Sequence, residues 1–495
     1  MMRLIGIFLK FLGILILLFT IGLIIGYQIL FNDEMKYYPV EDPVVAENLK
    51  DWQSRKFGLF MHWGPYSQWG VVESWSICAE DEPWCRRSNP NYTEYKRDYE
   101  ALKKTFNPVH FDPDKWVKAA SNAGMRYMVF TTKHHDGFCM FETATTDYKV
   151  TDDSCAFSQD PRANISYEIF DAFRNEDFMV GAYFSKADWN TEYFWWPNFA
   201  TPDRNVNYSI EKYPDRWEKF TDFTHTQVME LVSNYGELDI LWFDGGWVRP
   251  LTPIEKNVSG FISDLYLQAG YTQFNPPQNQ DLRMSELAGK VREKQPGIIM
   301  VDRHVEGSEQ DYMTPEQYVP DTFLPYPWES CITMGGSWSY SFKETYKPAR
   351  QIIHMLVDVV SKGGNLLLNI GPGPDGTWHD EAYVRLAEIG EWMQINQNAI
   401  YDSHGKKHFG EGKIRYTYMD DGSTNIFYLV DENESEMPSE IILDKSNLDQ
   451  INHVQIFGSN STIVWEKSGG KLRLFIPERL RKDPPCDFAW VFKIS

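Results

Sequence analysis

Residues 238–244 read Leu-Asp-Ile-Leu-Trp-Phe-Asp and are followed by Gly245-Gly246, so an apolar run ends in an acid, Asp244, with open backbone beyond it. Apolar residues drive such a run into a buried sheet, and the acid at its carboxyl end is presented to whatever lies outside. Other short runs end the same way. Residues 57–61 lead into His62-Trp63-Gly64, residues 125–133 into His134-His135-Asp136-Gly137, and residues 178–185 into Lys186-Ala187-Asp188-Trp189. Residues 297–301 lead into Asp302-Arg303-His304, and residues 365–370 into Gly371-Pro372. A carboxylate with imidazole and indole neighbours suits hydrolysis of a glycosidic bond, provided that a second carboxyl group serves as acid and base.

Helical segments at 114–124, 216–235 and 348–362 separate many of these runs. Strands alternating with helices imply a parallel sheet, and six or more such units in about 350 residues fit an α/β fold of the (β/α)8 barrel type. In that fold the carboxyl ends of the strands form the reactive face. A Gly-rich phosphate fingerprint does not follow the first strand, which counts against a dinucleotide fold.

The 495-residue chain is long enough for more than one domain. The catalytic barrel is expected over residues 45–400. Beyond the helix at 381–398 the helical period disappears, and seven short runs between 414 and 494 alternate apolar with polar residues. That spacing predicts a C-terminal β-sandwich over 405–495. Residues 1–31 are a separate object. Residues 11–30 carry no charge, Arg3 and Lys10 precede them, and Asp33 and Glu34 follow. This predicts a transmembrane helix acting as an uncleaved signal anchor, with the catalytic part outside the cytoplasm.

Aromatic residues make up 15% of the chain and include eighteen Trp, a composition common around sugar sites. The net charge of −22 argues against nucleic acid as a partner. Of six cysteines, Cys78 and Cys85 are spaced to close a small disulfide, while no Cys-x-x-Cys pair points to zinc.

Four motifs carry a resemblance. His62-Trp63-Gly64-Pro65-Tyr66, residues 132–138 (Thr-Lys-His-His-Asp-Gly-Phe), Trp242-Phe243-Asp244-Gly245 and residues 358–369, which end in Gly-Gly-Asn-Leu-Leu-Leu-Asn, stand in the order seen in glycoside hydrolase family 29, the α-L-fucosidases. The resemblance spans about residues 51–398. It implies a retaining exo-hydrolase of terminal α-L-fucosyl residues that needs no cofactor, with fucosylated glycans as substrate. It places the nucleophile at Asp244 and sugar contacts at His62, His134, His135 and Arg303. Glu73 and Trp75 fall on a family Glu-Trp pair that Ser74 here divides, and Tyr183 on a family strand. The acid/base lies on a variable loop, where Glu306, Glu309, Glu316 and Glu329 are candidates. Residues 312–316 with Pro320 and residues 327–329 match that loop best when Glu316 is the acid/base, with Glu309 next. Trp338 and Trp328 would wall the pocket.

Two other classes fit the same residues. His62, His134, His135 and Asp244 could hold a divalent metal in a metal-dependent hydrolase. Such sites usually take two His at i, i+2, however, and the adjacent His134 and His135 are expected on opposite faces of a regular strand, so no metal is expected. A fucose-binding relative without catalysis is the third reading.

Overall fold

A computed structural model of the chain describes residues 35–80, 85, 87–258, 277–444 and 451–495. The expected membrane anchor lies outside the described residues. Among the described residues no helix is long and apolar enough to cross a membrane.

Seven parallel strands form one sheet: β1 (Phe57–Met61), β2 (Tyr127–Lys133), β3 (Met179–Ser185), β4 (Ile240–Asp244), β5 (Ile299–Asp302), β6 (Glu329–Thr333) and β7 (Asn365–Asn369). Their order is β5-β4-β3-β2-β1-β7-β6. Every strand residue is buried except Asp244, as expected for a parallel sheet covered on both faces. Alternate residues serve two cores. Phe60, Tyr127, Val129, Tyr183, Trp242, Val301, Cys331 and Leu367 pack inside with Leu49 and Trp52, which come from the helix Pro43–Arg55. Leu59, Met128, Phe130, Ala182, Leu241, Met300 and Leu368 pack outward among the flanking helices. Both sets are apolar, so the runs read as continuous rather than alternating. At the amino end, Gly58 lies opposite Tyr127, and a Cβ there would come within 2.4 Å of the Tyr127 ring.

Among the described residues the parallel sheet has seven regular strands rather than the expected eight, and the physical reason lies between β5 and β6. There residues 309–317 carry hydrogen bonds to both sheet edges without forming a ladder. Asp302 N donates to Glu309 O and Asp311 N to Met300 O, each at 2.9 Å. On the other side Glu329 N donates to Met313 O at 2.8 Å and Gln317 N to Cys331 O at 2.9 Å. Pro315 has no N–H to give, and Gln317 takes φ +60°, so the span cannot be a regular strand. β6 itself, Glu-Ser-Cys-Ile-Thr, carries no strand signal in the sequence because it is short and half polar.

After the helix Asp380–Asn396 the chain is antiparallel. One sheet has five strands (Val454–Ile456, Ala489–Ile494, Thr424–Leu429, Ile414–Tyr418 and Gly410–Glu411) and the other three (Glu440–Asp444, Lys471–Phe475 and Val464–Ser468). Tyr416, Ile426 and Phe492 from the first share a core with Leu443, Leu472 and Leu474 from the second. Trp392 Nε1 donates to Ala489 O at 2.8 Å, and Arg415 Nε meets Asp358 Oδ1 at 2.5 Å, tying these sheets to the parallel layer.

No disulfide forms among the described residues; the Cys78 thiol turns to the Glu80 carboxylate at 3.4 Å instead.

Candidate active site

A cavity of about 350 Å³ opens at the carboxyl ends of the strands. Ten residues singled out in the sequence line it: Asp244, Glu316, His62, Glu73, Trp75, His134, His135, Tyr183, Arg303 and Trp338. Trp328, also expected in the wall, is instead fully buried in the core at the start of β6, where its Nε1 donates to Lys362 O at 3.4 Å. Phe60, Arg204, Trp242, Gly246, Trp247, His304 and Cys331 complete the wall.

Asp244 ends β4. Its Oδ1 accepts from the Gly245 amide at 2.8 Å and lies 3.4 Å from Arg303 Nη1, while Oδ2 accepts from the Tyr183 hydroxyl at 2.8 Å. Burial by itself would push this carboxyl up, but Arg303, the Gly245 amide and Tyr183 hold it well below the usual carboxylate range. His135 is itself pushed down to about 4 by burial and is neutral near neutral pH, so the fixed positive charge comes from Arg303. The diglycine has a specific use. A Cβ on Gly246 would lie 2.7 Å from Arg303 O and 2.8 Å from His304 Cβ, so its absence lets the chain leaving β5 lie against the loop after β4.

Arg303 follows β5 and is 8% exposed. Its Nη2 meets Glu316 Oε2, so one guanidinium spans two carboxylates, and it sits 5.3 Å over the Trp242 ring. Glu316 is half-buried, held by the irregular span beside β6. The other acid/base candidates are elsewhere. Glu309 binds Ser308 Oγ at 2.9 Å, Glu306 accepts from Lys36 N at 2.7 Å, and neither lines the cavity. Glu329 is fully buried at the amino end of β6, where it accepts from Tyr127 at 2.7 Å and burial pushes it up to about 7.

Three imidazoles face Asp244. His62 Nδ1 is 2.8 Å from Asn369 Oδ1, His134 Nδ1 meets Ser74 Oγ, and His135 Nδ1 is 2.7 Å from Ser185 Oγ. Burial pushes His62 down to about 4 and His134 well below the ordinary value. Glu73 is buried beside them; its Oε1 accepts from Ser339 N at 2.9 Å, and burial pushes it up to about 8. The Trp338 ring lies 4.9 Å from His62, and the Trp75 ring packs edge-on at 5.4 Å against His135. The Arg204 guanidinium rests 4.8 Å over Trp75 and 5.5 Å over Trp247.

The expectation that His134 and His135 point apart is wrong. β2 ends at Lys133, so both sit on the turn beyond it, with ring centroids 4.2 Å apart. One ligand atom from each of His134, His135 and Asp244 falls within 4.8 Å of the others. A cation there would share its carboxylate with the guanidinium of Arg303, whose like charge opposes it.

Two carboxyl groups within reach of one guanidinium, set in aromatic walls, suit the paired carboxyl groups that glycoside hydrolysis needs. Residues 27–398 match the α-L-fucosidase family. The chain belongs to that family. Human plasma α-L-fucosidase is 28% identical over 386 residues, covering 74% of this chain and 73% of the relative. Human tissue α-L-fucosidase is 25% identical over 479 residues, 93% of this chain and 92% of the relative. Among solved structures, α-L-fucosidase isoenzyme 1 from Paenibacillus thiaminolyticus superposes with a TM-score of 0.70 at 28% identity, over 91% of this chain and 99% of that one. Thermotoga maritima α-fucosidase in complex with fucose gives 0.67 at 25%, over 93% and 100%.

Within this fucosidase-family pocket, the sequence missed Phe60, Arg204, Trp247 and His304. Phe60 reads as core because it alternates with other apolar residues of β1. Arg204 and Trp247 sit on loops without a motif. His304 follows Arg303 directly, and its φ of +60° has no signal in residue type alone.

Proposed function

We propose that this enzyme removes terminal α-L-fucosyl residues from glycans by double displacement, with Asp244 as nucleophile and Glu316 as acid/base. The observation that carries the reading is that Asp244 and Glu316 line one cavity and meet the two ends of a single guanidinium, Arg303, as the closely set carboxyl pair of a retaining enzyme would. In the first step an Asp244 oxygen bonds to the anomeric carbon as the glycosidic C–O bond breaks, and Glu316 gives its proton to the leaving oxygen. In the second, Glu316 takes a proton from water, the water oxygen bonds to the anomeric carbon, and Asp244 leaves as carboxylate.

Asp244 is suited to attack because its charge is held at working pH by Arg303 and its orientation by Tyr183 and Gly245. His62, His134, His135 and Glu73 offer polar partners for ring hydroxyls, while Trp75 and Trp338 offer faces for C–H groups. L-Fucose carries a methyl group where L-galactose carries a hydroxymethyl, and Phe60 and Trp242 supply apolar surface on the floor. Selection at one such contact is worth about 1–3 kcal/mol. An aryl α-L-fucoside should therefore turn over, while aryl α- and β-galactosides should be far poorer; equal turnover of a galactoside would overturn the substrate assignment.

The anchor proposal stands on sequence alone: residues 11–30 fix the enzyme in a membrane with its catalytic part outside the cytoplasm, facing fucosylated glycoconjugates.

A further inference from the structure

The donors around two of the pocket imidazoles can be counted. The Ser185 hydroxyl lies 2.6 Å from Ala187 O and 2.7 Å from His135 Nδ1. A hydroxyl has one hydrogen, and a backbone carbonyl cannot donate. The hydrogen must go to Ala187 O, since two acceptors at 2.6 Å would otherwise repel. Ser185 Oγ is then an acceptor towards the ring, and His135 Nδ1 carries the proton. His135 Nε2, on the far side of the ring, is left as a bare lone pair 3.7 Å from Asp244 Oδ2.

The same count works for His62. Asn369 Nδ2 donates to Trp338 O at 2.6 Å, which settles the amide's orientation and leaves Oδ1 towards His62 at 2.8 Å. An amide oxygen only accepts, so His62 Nδ1 carries the proton and its Nε2 is bare. Both imidazoles are buried and neutral near neutral pH, so neither carries a second proton.

We propose that Ser185 and Asn369 are positioning residues that lock His135 and His62 as the Nδ1–H tautomers, so that the pocket offers two Nε2 acceptors to hydroxyl hydrogens of the sugar. At His135 the geometry goes further. Nε2 and Asp244 Oδ2 are both acceptors, too far apart to bond and close enough to repel, so the gap between them is a seat for a hydrogen donor. A ring hydroxyl placed there satisfies Nε2 and lies beside the attacking carboxylate. The site thus selects sugars by the presence of hydroxyl hydrogens at two places, and an ether or fluorine at either place leaves the nitrogen unmatched. The use made of the tautomers rests on the fucoside reading; the tautomers themselves do not.

The test separates the two. Long-range ¹H–¹⁵N correlation spectra of the ¹⁵N-histidine-labelled protein, assigned with His62→Gln and His135→Gln, report which ring nitrogen holds the proton, whatever the substrate. Both residues should show the Nδ1–H pattern, and an Nε2–H pattern for either would overturn the proposal for that residue. In Ser185→Ala, His135 should lose its single-tautomer signature and KM for an aryl α-L-fucoside should rise about tenfold with kcat less affected. Ser185→Thr, which keeps the hydroxyl, should restore both. A Ser185→Ala protein that melts like the parent and keeps the parent tautomer and KM would contradict the assignment, as would a Thr variant no better than Ala.

Discussion

Arg303 Nη1 lies 3.4 Å from Asp244 Oδ1 in a pocket where the two side chains are 8% and 15% exposed. The pair keeps a buried carboxyl negative, and it dictates the sign of the pH response. Because Asp244 is held below its unfolded value, the stability it contributes is present above about pH 4 and is lost as pH falls.

Arg303→Met removes the charge and leaves the carboxyl buried. The acid limb of kcat/KM should move to higher pH, and unfolding free energy near pH 7 should drop by about 3–5 kcal/mol. The stability gap to the parent should narrow as the buffer is taken towards pH 3, which thermal melts at several pH values would check. A gap that widens on acidification would contradict the pairing.

Glu316→Ala removes the group assigned to protonate the leaving oxygen. Natural disaccharides, whose leaving groups need that proton, should slow by about 10²–10⁴-fold, and activated aryl fucosides much less in the first step. The basic limb of the pH–rate profile should flatten. Equal losses on both substrates, with the leaving-group dependence appearing in Glu309→Ala instead, would reassign the acid/base.

Glu73 is pushed up to about 8 by burial, above its unfolded value near 4.5. Between those values the unfolded chain gives up a proton that the folded chain keeps, so this group lowers stability as pH rises from about 4.5 to 8. Glu73→Gln retains an oxygen for the Ser339 amide and cannot ionise. Its melting temperature should fall less steeply over that window than the parent's; identical slopes would show that Glu73 is charged in the folded protein.

A chain beginning near Asp33 should be soluble and as active as the full-length enzyme, because the first described helix starts at Pro43. Full-length protein should remain with membranes through a carbonate wash. Its release, or a mature chain that starts beyond Leu30, would remove the anchor.

The strand ends were legible because a parallel sheet buried on both faces concentrates its polar residues at the termini, so Asp244, His62 and Arg303 stood out against apolar runs. Glu316 was legible only through loop resemblance, since the span that holds it has no period: it bonds to β5 on one side and β6 on the other in irregular register. That irregularity also hid the difference between seven and eight strands. The turn after β2 was misread from strand geometry, which ceases at Lys133 and no longer governs His134 and His135. Arg204 reaches the pocket by lying across Trp75 and Trp247, a contact between distant loops that no local pattern encodes.

The central claim is that Asp244 bonds to the sugar. An α-L-fucosyl fluoride with fluorine in place of its 2-hydroxyl tests it directly, since that fluorine slows both steps while the good leaving group favours the first. Peptide mass spectrometry after incubation should find one fluorofucosyl group, carried on Asp244, and none on the Asp244→Gly protein. A label on another carboxylate, or rapid turnover that releases the β-anomer first without any adduct, would contradict the account.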